Sequence, residues 1–325
     1  MATVHDSYIG VAEESIYGTA VAPARFLEMA SEGIAGKNER IESEGWRAGQ
    51  KVLRRDRFEP NPKGAEGDVK LEVLDGSLGL LLKHCLGSVA SGAPSGGFTT
   101  HTFTVGDLKG KSLTVQVGRG DVSGAVLPFT YEGGKVTGFE ITSAVDGVLG
   151  LNLDMDFAKE TIGAGAGAYA LSVPTYAAGT QLYTFVSASV TVAGTQFGVS
   201  DISVKGDNAL KTDRYYSGTA GRKKEPLTEG LRKYEFELKG EFDGLVHANR
   251  AAAAVAASNL AEIVAVWSTP QGGEFRVVMP FARFDEAPPN FDGAQIIEQS
   301  LKGMALEDGT ASPITIAYKT KDTAP

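Results

Sequence analysis

The sequence predicts a mainly β protein made of two similar halves, each with about one helix. Three observations lead there. Segments in which apolar and polar residues alternate recur along the chain, helical stretches are few, and a set of short landmarks repeats in the same order. With 325 residues the chain is long enough for two domains or one large all-β domain, since a domain usually runs about 100–200 residues. The 41 glycines are nearly twice the roughly 7% average share and suit a fold rich in turns.

The elements follow in chain order. Gly10–Phe26 (GVAEESIYGTAVAPARF) has neither helical period nor clean alternation. Its glycines and Pro23 suit an extended arm that crosses a neighbouring surface before Phe26 enters the first strand. Asp68–Leu74 places Val69, Leu71 and Val73 on one strand face, and Arg232–Phe242 sets Tyr234, Phe236 and Leu238 against Lys233, Glu235, Glu237, Lys239 and Glu241. Similar alternation marks Ser112–Val117, Val136–Ile141, Gly150–Phe157, Val186–Val192, Phe275–Met279 and Ile314–Tyr318 as strands. Helices are expected at Ser77–Leu86 and from Leu245 to about Ile263.

The landmarks define the two halves. Gly36-Lys37-Asn38 matches Gly206-Asp207-Asn208 at a separation of 170 residues, and Asp75-Gly76 matches Asp243-Gly244 at 168. Phe129 with Gly133-Gly134 is matched to Phe291 with Gly293, and Asp146-Gly147 to Asp308-Gly309 at 162. Internal duplication of a β unit explains the constant order; the competing reading is that such pairs only mark turns. Ile162–Gly179, rich in Gly and Ala, has linker composition, so the expected units are residues 1–161 with the N-terminal arm, a linker 162–179, and 180–325. Ser88–Thr100 reads as a flexible loop without counterpart.

Composition narrows the function classes. Hydrophobic residues at 42% and charged residues at 22% are globular values and argue against a disordered or fibrous chain. A net charge of -9 argues against a protein that grips nucleic acid. The single Cys85 permits no internal disulfide or cysteine metal cluster. No secretory signal is expected at the start, and Ala251–Trp267 is too short and too interrupted for a membrane span; synthesis in the cytosol is the default. His5, His84, His101 and His247 show no metal-ligand spacing, so neither metal nor cofactor is expected and no enzyme is indicated. Gly163–Ala168 (GAGAGA) lacks dinucleotide-loop spacing, and Arg119-Gly120-Asp121 reads as a turn, not an adhesion signal.

Two basic segments stand out. Arg47, Lys51, Arg54, Arg55, Arg57 and Lys63 cluster in the first half, and Arg214, Arg222, Lys223 and Lys224 in the second. In an acidic chain these segments suit contact with an acidic surface on another copy. Asp154 and Asp156, with Glu235 and Glu237, lie on the wet sides of strands and suit a polar lining rather than acid–base chemistry.

Taken in order, these features resemble the tail tube (major tail) proteins of long-tailed bacteriophages. The resemblance is carried by Gly10–Phe26, Gly36-Lys37-Asn38, the charged loop and the strand-turn-helix Val69–Leu86. It continues through His101-Thr102-Phe103-Thr104, Ser112–Gly118 (SLTVQVG), Phe129–Ile141 (FTYEGGKVTGFEI) and Pro289–Gly309. It implies a β-sandwich or half-barrel protomer with a flanking helix, whose rings stack into a hollow tube around a tape measure protein and later pass DNA. With two units per chain, it implies a trimeric ring of pseudo-six-fold symmetry, a hexamer being the other closed option. Tail terminator and distal tail proteins are the remaining partners it implies, DNA only transits, no membrane is involved, and assembly occurs in the host cytoplasm.

Overall fold

The computed structural model describes residues 4–163, 165–219, 222–242, 244–253, 260–290 and 296–325. It is a predominantly antiparallel β structure with two short α-helices. The first half runs β1 (Tyr8–Glu14), β2 (Arg25–Leu27), β3 (Met29–Glu32), β4 (Ala35–Glu42), β5 (Phe58–Glu72) and α1 (Gly79–Leu86). It continues through β6 (Gly87–Ser91), β7 (Thr99–Val105), β8 (Ser112–Gly120), β9 (Val126–Ala144), β10 (Gly150–Phe157) and β11 (Lys159–Ile162). The second half runs β12 (Ala188–Val192), β13 (Thr195–Gln196), β14 (Val199–Asp207), β15 (Leu210–Lys211), β16 (Leu227–Thr228), β17 (Lys233–Glu241) and α2 (Val246–Ala252). It ends with β18 (Ala261–Ser268), β19 (Glu274–Glu286), β20 (Pro289–Asn290), β21 (Glu298–Ala305) and β22 (Thr315–Thr320).

The strand pairings repeat. In the first half β2 pairs β1, β1 pairs β8, β8 pairs β9, β9 pairs β10 and β11, and β10 pairs β5, which pairs β3. In the second half β13 pairs β12, β12 pairs β18, β18 pairs β19, β19 pairs β21 and β22, and β21 pairs β17, which pairs β14. Each half thus carries one long strand, β9 or β19, whose two ends pair different strands. The β6–β7 hairpin belongs to the first half alone. The expected loop Ser88–Thr100 is strand at both ends and turn only over residues 92–98: β7 pairs with β6 and, on its other edge, with β22 of the second half.

The N-terminal stretch corrects the expectation of an arm. Tyr8–Glu14 is a central strand between β2 and β8, with only Glu13 exposed. A strand covered on both faces need not alternate, and Tyr8–Glu14 carries no strand signal in its sequence. Gly10 is required there, because a Cβ would lie 2.8 Å from the Phe26 ring and from Pro23. Its counterpart in the second half is β12.

The matching of landmarks is corrected in one place. Asp146-Gly147 forms the β9–β10 turn, with Asp146 at φ 59°, whereas Asp308-Gly309 lies between β21 and β22. Phe291, Gly293 and Asp243 lie outside the described residues. The second helix is also shorter than expected: α2 ends at Ala252 and Ala261–Ser268 is already β18.

One core runs through both halves. The α1 residues Leu80, Leu81, Leu82, Cys85 and Leu86 join Val115, Ile141, Leu151, Trp267, Phe275 and Tyr318 in a single buried cluster. Burial pushes the Cys85 thiol well above its ordinary range, so it is a packing residue. Trp267 donates its indole N–H to Ser143 Oγ at 3.2 Å, which ties the second half's core to the first half's long strand.

Candidate functional site

The alternation that opposes a dry face to a wet face becomes a continuous surface once the strands are paired. Strand β14 of the second half lies antiparallel on β9 of the first, so that β3, β5, β10, β9, β14, β17, β21 and β19 stand side by side across both halves. Side chains on opposed residues share a face. One row of that face reads Lys70, Asn152, Glu140, Lys205, Glu235, Met304. The next reads Glu72, Gly150, Thr142, Ser203, Glu237, Lys302. Behind this wet face, Val69, Leu151, Leu153, Phe139, Ile202, Val204, Phe236 and Leu238 fill the core.

Asp154, Glu235 and Glu237, each expected at a polar lining, therefore come together on one surface. Asp154 lies opposite Asp68 on one neighbouring strand and Gly138 on the other. Partial burial, with the nearby Asp68 and Glu140 charges, raises its carboxyl above the ordinary value. For Glu237 burial acts upward, but contacts from Lys302 (3.2 Å) and Ser300 (3.0 Å) outweigh it and hold the carboxyl low. Glu140 accepts a hydrogen bond from Ser203 at 2.7 Å and faces Lys205 at 3.4 Å. Charges of both signs are thus interleaved across the face, and no strongly cationic track runs along it.

Asp156 departs from this set. It is 5% exposed and pairs at 2.5 Å with Lys223, itself 6% exposed. Burial pushes its carboxyl up to about 6, with the Lys223 charge pulling the other way. Lys223 is accordingly not a side chain free to meet another molecule, and Asp156 does not line the polar face; the two fasten Thr212–Pro226 of the second half to the end of β10. From sequence alone each suits a surface role, because partners so distant along the chain cannot be matched by spacing.

Other contacts anchor the same segment. Glu225 accepts from Lys135 Nζ at 2.5 Å and from the Gly110 N–H at 2.6 Å, while Tyr215 donates to the Lys63 carbonyl at 2.7 Å. Lys63 Nζ sits 4.2 Å from the Tyr215 ring centroid, a cation–π contact. Desolvation pushes the Lys135 ammonium downward. Arg222 and Lys224 remain exposed, Lys224 lying 4.9 Å from the Tyr216 ring. None of the Lys135–Glu225 geometry was legible in advance.

The first half's basic segment has the opposite disposition. β4 and the start of β5 form a two-stranded ribbon exposed along most of its length, joined by Ser43–Arg57. Arg47, Lys51, Arg55 and Arg57 are exposed, and Arg54 forms a two-pronged pair with Asp56 at 2.7 and 2.6 Å. That pair holds the Asp56 carboxyl at about 2. Apolar side chains accompany the charges: Trp46 is 87% and Val52 81% exposed.

The remaining motifs are structural. Arg119 of the Arg-Gly-Asp turn forks onto Glu32 at 2.9 and 2.8 Å and lies 4.4 Å from the Phe129 ring, so it packs inside this chain. His84 is 2% exposed beside Glu13, and His101 is fully buried between Ser91 and Asp322. Among the described residues no group of acidic, His and Cys side chains has metal-binding geometry, and no described helix is long and apolar enough to cross a membrane.

A family comparison fits this geometry. The profile of the phage tail tube proteins matches residues 5–305, nearly the whole chain. No curated protein matches the sequence. A duplicated antiparallel fold, a polar sheet face that crosses both halves and a match of this extent lead to one assignment: the chain belongs to the phage tail tube protein family.

Proposed function

We propose that three copies of the chain close into a ring of pseudo-six-fold symmetry, with the polar sheet face turned to the lumen. Membership in the family makes the chain a structural subunit of the virion tail that assembles with copies of itself into a tube for DNA passage. The finer reading takes residues 1–161 and 180–325 as two tube units joined by 162–179. It is carried by the union of β14 with β9, through which the two halves already form one arc of sheet. An arc with open edges finds stable partners in further copies, and a closed ring leaves none of those edges exposed.

The chemistry of the face suits passage. DNA held by many Lys and Arg contacts releases counterions and binds tightly, whereas interleaved acids such as Asp154, Glu235 and Glu237 among Lys205 and Lys302 give it no cationic track. Arg47, Lys51, Arg54, Arg55 and Arg57 on the exposed ribbon, with Arg222 and Lys224 on the surface of the second half, would meet neighbouring copies or rings. A tape measure protein within the lumen, and terminator and distal tail proteins at the tube ends, complete the assembly. The ring is built in the host cytoplasm and passes into the virion.

Negative-stain microscopy of concentrated protein tests this directly. Hollow tubes or rings with three-fold symmetry are expected. True six-fold rings, in which every chain makes one equivalent contact, would overturn the trimer, and a persistent monomer in the presence of the tail chaperone and tape measure protein would overturn ring formation itself.

A further inference from the structure

The joint between the halves is a template for one that a single chain cannot make with itself. Within the chain, β14 runs antiparallel along β9, from Asp201 opposite Ala144 to Asp207 opposite Gly138. Asn208 ends that ladder. Its backbone N–H donates to the Thr137 carbonyl at 2.9 Å, and its side-chain Nδ2 donates to the Val136 carbonyl at 2.9 Å and the Cys85 carbonyl at 3.1 Å. Asn208 has no exposed surface, so one side chain pins the incoming strand both to β9 and to the C-terminal end of α1.

The first half repeats the strand without the joint. Gly36 lies opposite Ala65 on β5 as Gly206 lies opposite Tyr234 on β17, and two residues on, past a bulge in the β4–β5 ladder, Asn38 holds the landmark position of Asn208. Yet Asn38 is exposed, and the ladder partner of β3 and β4 among the described residues is β5 alone. At the far end of the arc, β19 is the counterpart of β9. Its Arg283–Glu286 stretch pairs β21 along one edge and no described strand along the other.

We infer that β3 and the start of β4 of one copy pair with the open edge of β19 in the next copy, with Asn38 as the pin. Asn38 then reaches the backbone beside Phe284 and the last turn of α2, as Asn208 reaches Val136 and the end of α1. In a ring of pseudo-six-fold symmetry the joint between copies takes approximately the geometry of the joint within the chain. Backbone ladders supply the adhesion, and the buried amide fixes register. The inference rests on the ring reading above.

Cross-linking tests it. Within one chain the strands β5, β10, β9, β14, β17 and β21 separate Asn38 from Asp285, a span on the order of 30 Å at about 4.8 Å per strand. A disulfide needs Cα atoms within about 7 Å, so an Asn38→Cys, Asp285→Cys variant can cross-link only between copies. Oxidised tubes of the double variant are expected to run as a covalent ladder ending at the trimer on a non-reducing gel, and each single variant as monomer. The companion variant Asn38→Ala is expected to melt like the wild type and to lose at least tenfold in tube yield. Tubes of the double variant with no more cross-linking than the single variants, or Asn38→Ala protein that assembles at wild-type yield, would overturn the joint while leaving the tube intact. Wild-type protein that forms no ring would instead overturn the reading beneath it.

Discussion

Residues 212–219 and 222–226 of the second half and residues 43–57 of the first occupy the same place in the two halves, and they end in opposite environments. The former segment folds back on the neighbouring half and buries Lys223 and Pro226, with Glu225 held between Lys135 and Gly110. The latter stands away from the chain with Trp46, Val52 and Leu53 in solvent. Both follow a short strand that continues the Gly-x-Asn landmark. What differs is the availability of a neighbour: the second half has the first beside it, while the first half has none within the chain. The exposed ribbon is the element for which the proposed function supplies a partner in another copy.

The docked loop offers the largest effect. Replacing Lys223 with Met leaves the Asp156 charge buried and unpaired, and removing one member of a buried pair costs about 3–5 kcal/mol. Chemical denaturation of the monomer measures it. The Asp156→Asn, Lys223→Met double variant should recover much of that loss, because no isolated charge remains. Acidity sharpens the point. The native carboxyl titrates at about 6, above the ordinary 3.8, so the native state holds its proton where the unfolded chain has released it. Stability is therefore expected to fall as pH rises from about 4 to about 6, and the double variant should lack that slope. Glu13 acts with the opposite sign. The nearby His84 ring, 3.5 Å away, and the Lys83 ammonium at 2.7 Å hold it at about 2, so its contribution is lost as pH falls from about 4.5 toward 2.

The paired asparagines give the next effect. Asn208→Ala removes the donor to two buried carbonyls, and unsatisfied buried groups cost about 1–3 kcal/mol. Asn38→Ala, on an exposed strand, should change protomer stability by less than about 0.5 kcal/mol. Equal melting losses at the two positions would break the comparison between a joint that is made and one that is open.

The legibility of the two halves follows the same physics. Half-buried strands announce themselves: Gly150–Phe157 was read to the residue, and the alternation of β17 identified both its core and its polar side. Burial on both faces does not by itself hide a strand: Ser112–Val117 is buried throughout and still alternates, whereas Tyr8–Glu14 does not alternate and mostly falls in the Gly10–Phe26 stretch that suits an arm. Asp154, Glu235 and Glu237 share the wet face that local period marks, whereas Asp156 is buried. Its burial depends on Lys223, a residue that is distant in sequence and arrives only through the union of the halves. Asn208 was visible as half of a repeated landmark, but its role as a pin needed the carbonyls of α1 and β9, which no sequence pattern displays.

The exposed ribbon should respond to charge without responding in stability. Reversing Arg54, Arg55 and Arg57 to Glu disturbs one pair, Arg54–Asp56, which lies at the surface, where such pairs contribute little. The protomer should fold normally and tube growth should fall steeply, as followed by light scattering and microscopy. Tubes of normal length from the triple variant would show that the ribbon's charges do not form the contact.

The polar face should yield the smallest effect on the protein and a distinct one on its passenger. Glu235 and Glu237 lie in adjacent rows of the wet face, with their strand held from behind by Tyr234, Phe236 and Leu238. Changing both to Lys breaks the Glu237 contacts with Ser300 and Lys302 but opens no core position, so protomer stability should fall by no more than about 1 kcal/mol and tubes should still form. Every ring would then present added cations on each of its subunits, aligned from ring to ring. Short duplexes exposed to open-ended tubes should be retained at low salt, and log binding should fall with log salt by about 0.9 for each phosphate neutralised. Wild-type tubes should show neither retention nor slope. Retention that is equal in both would place these carboxylates on the outside of the tube, since a charge reversal that DNA cannot sense is not on its path.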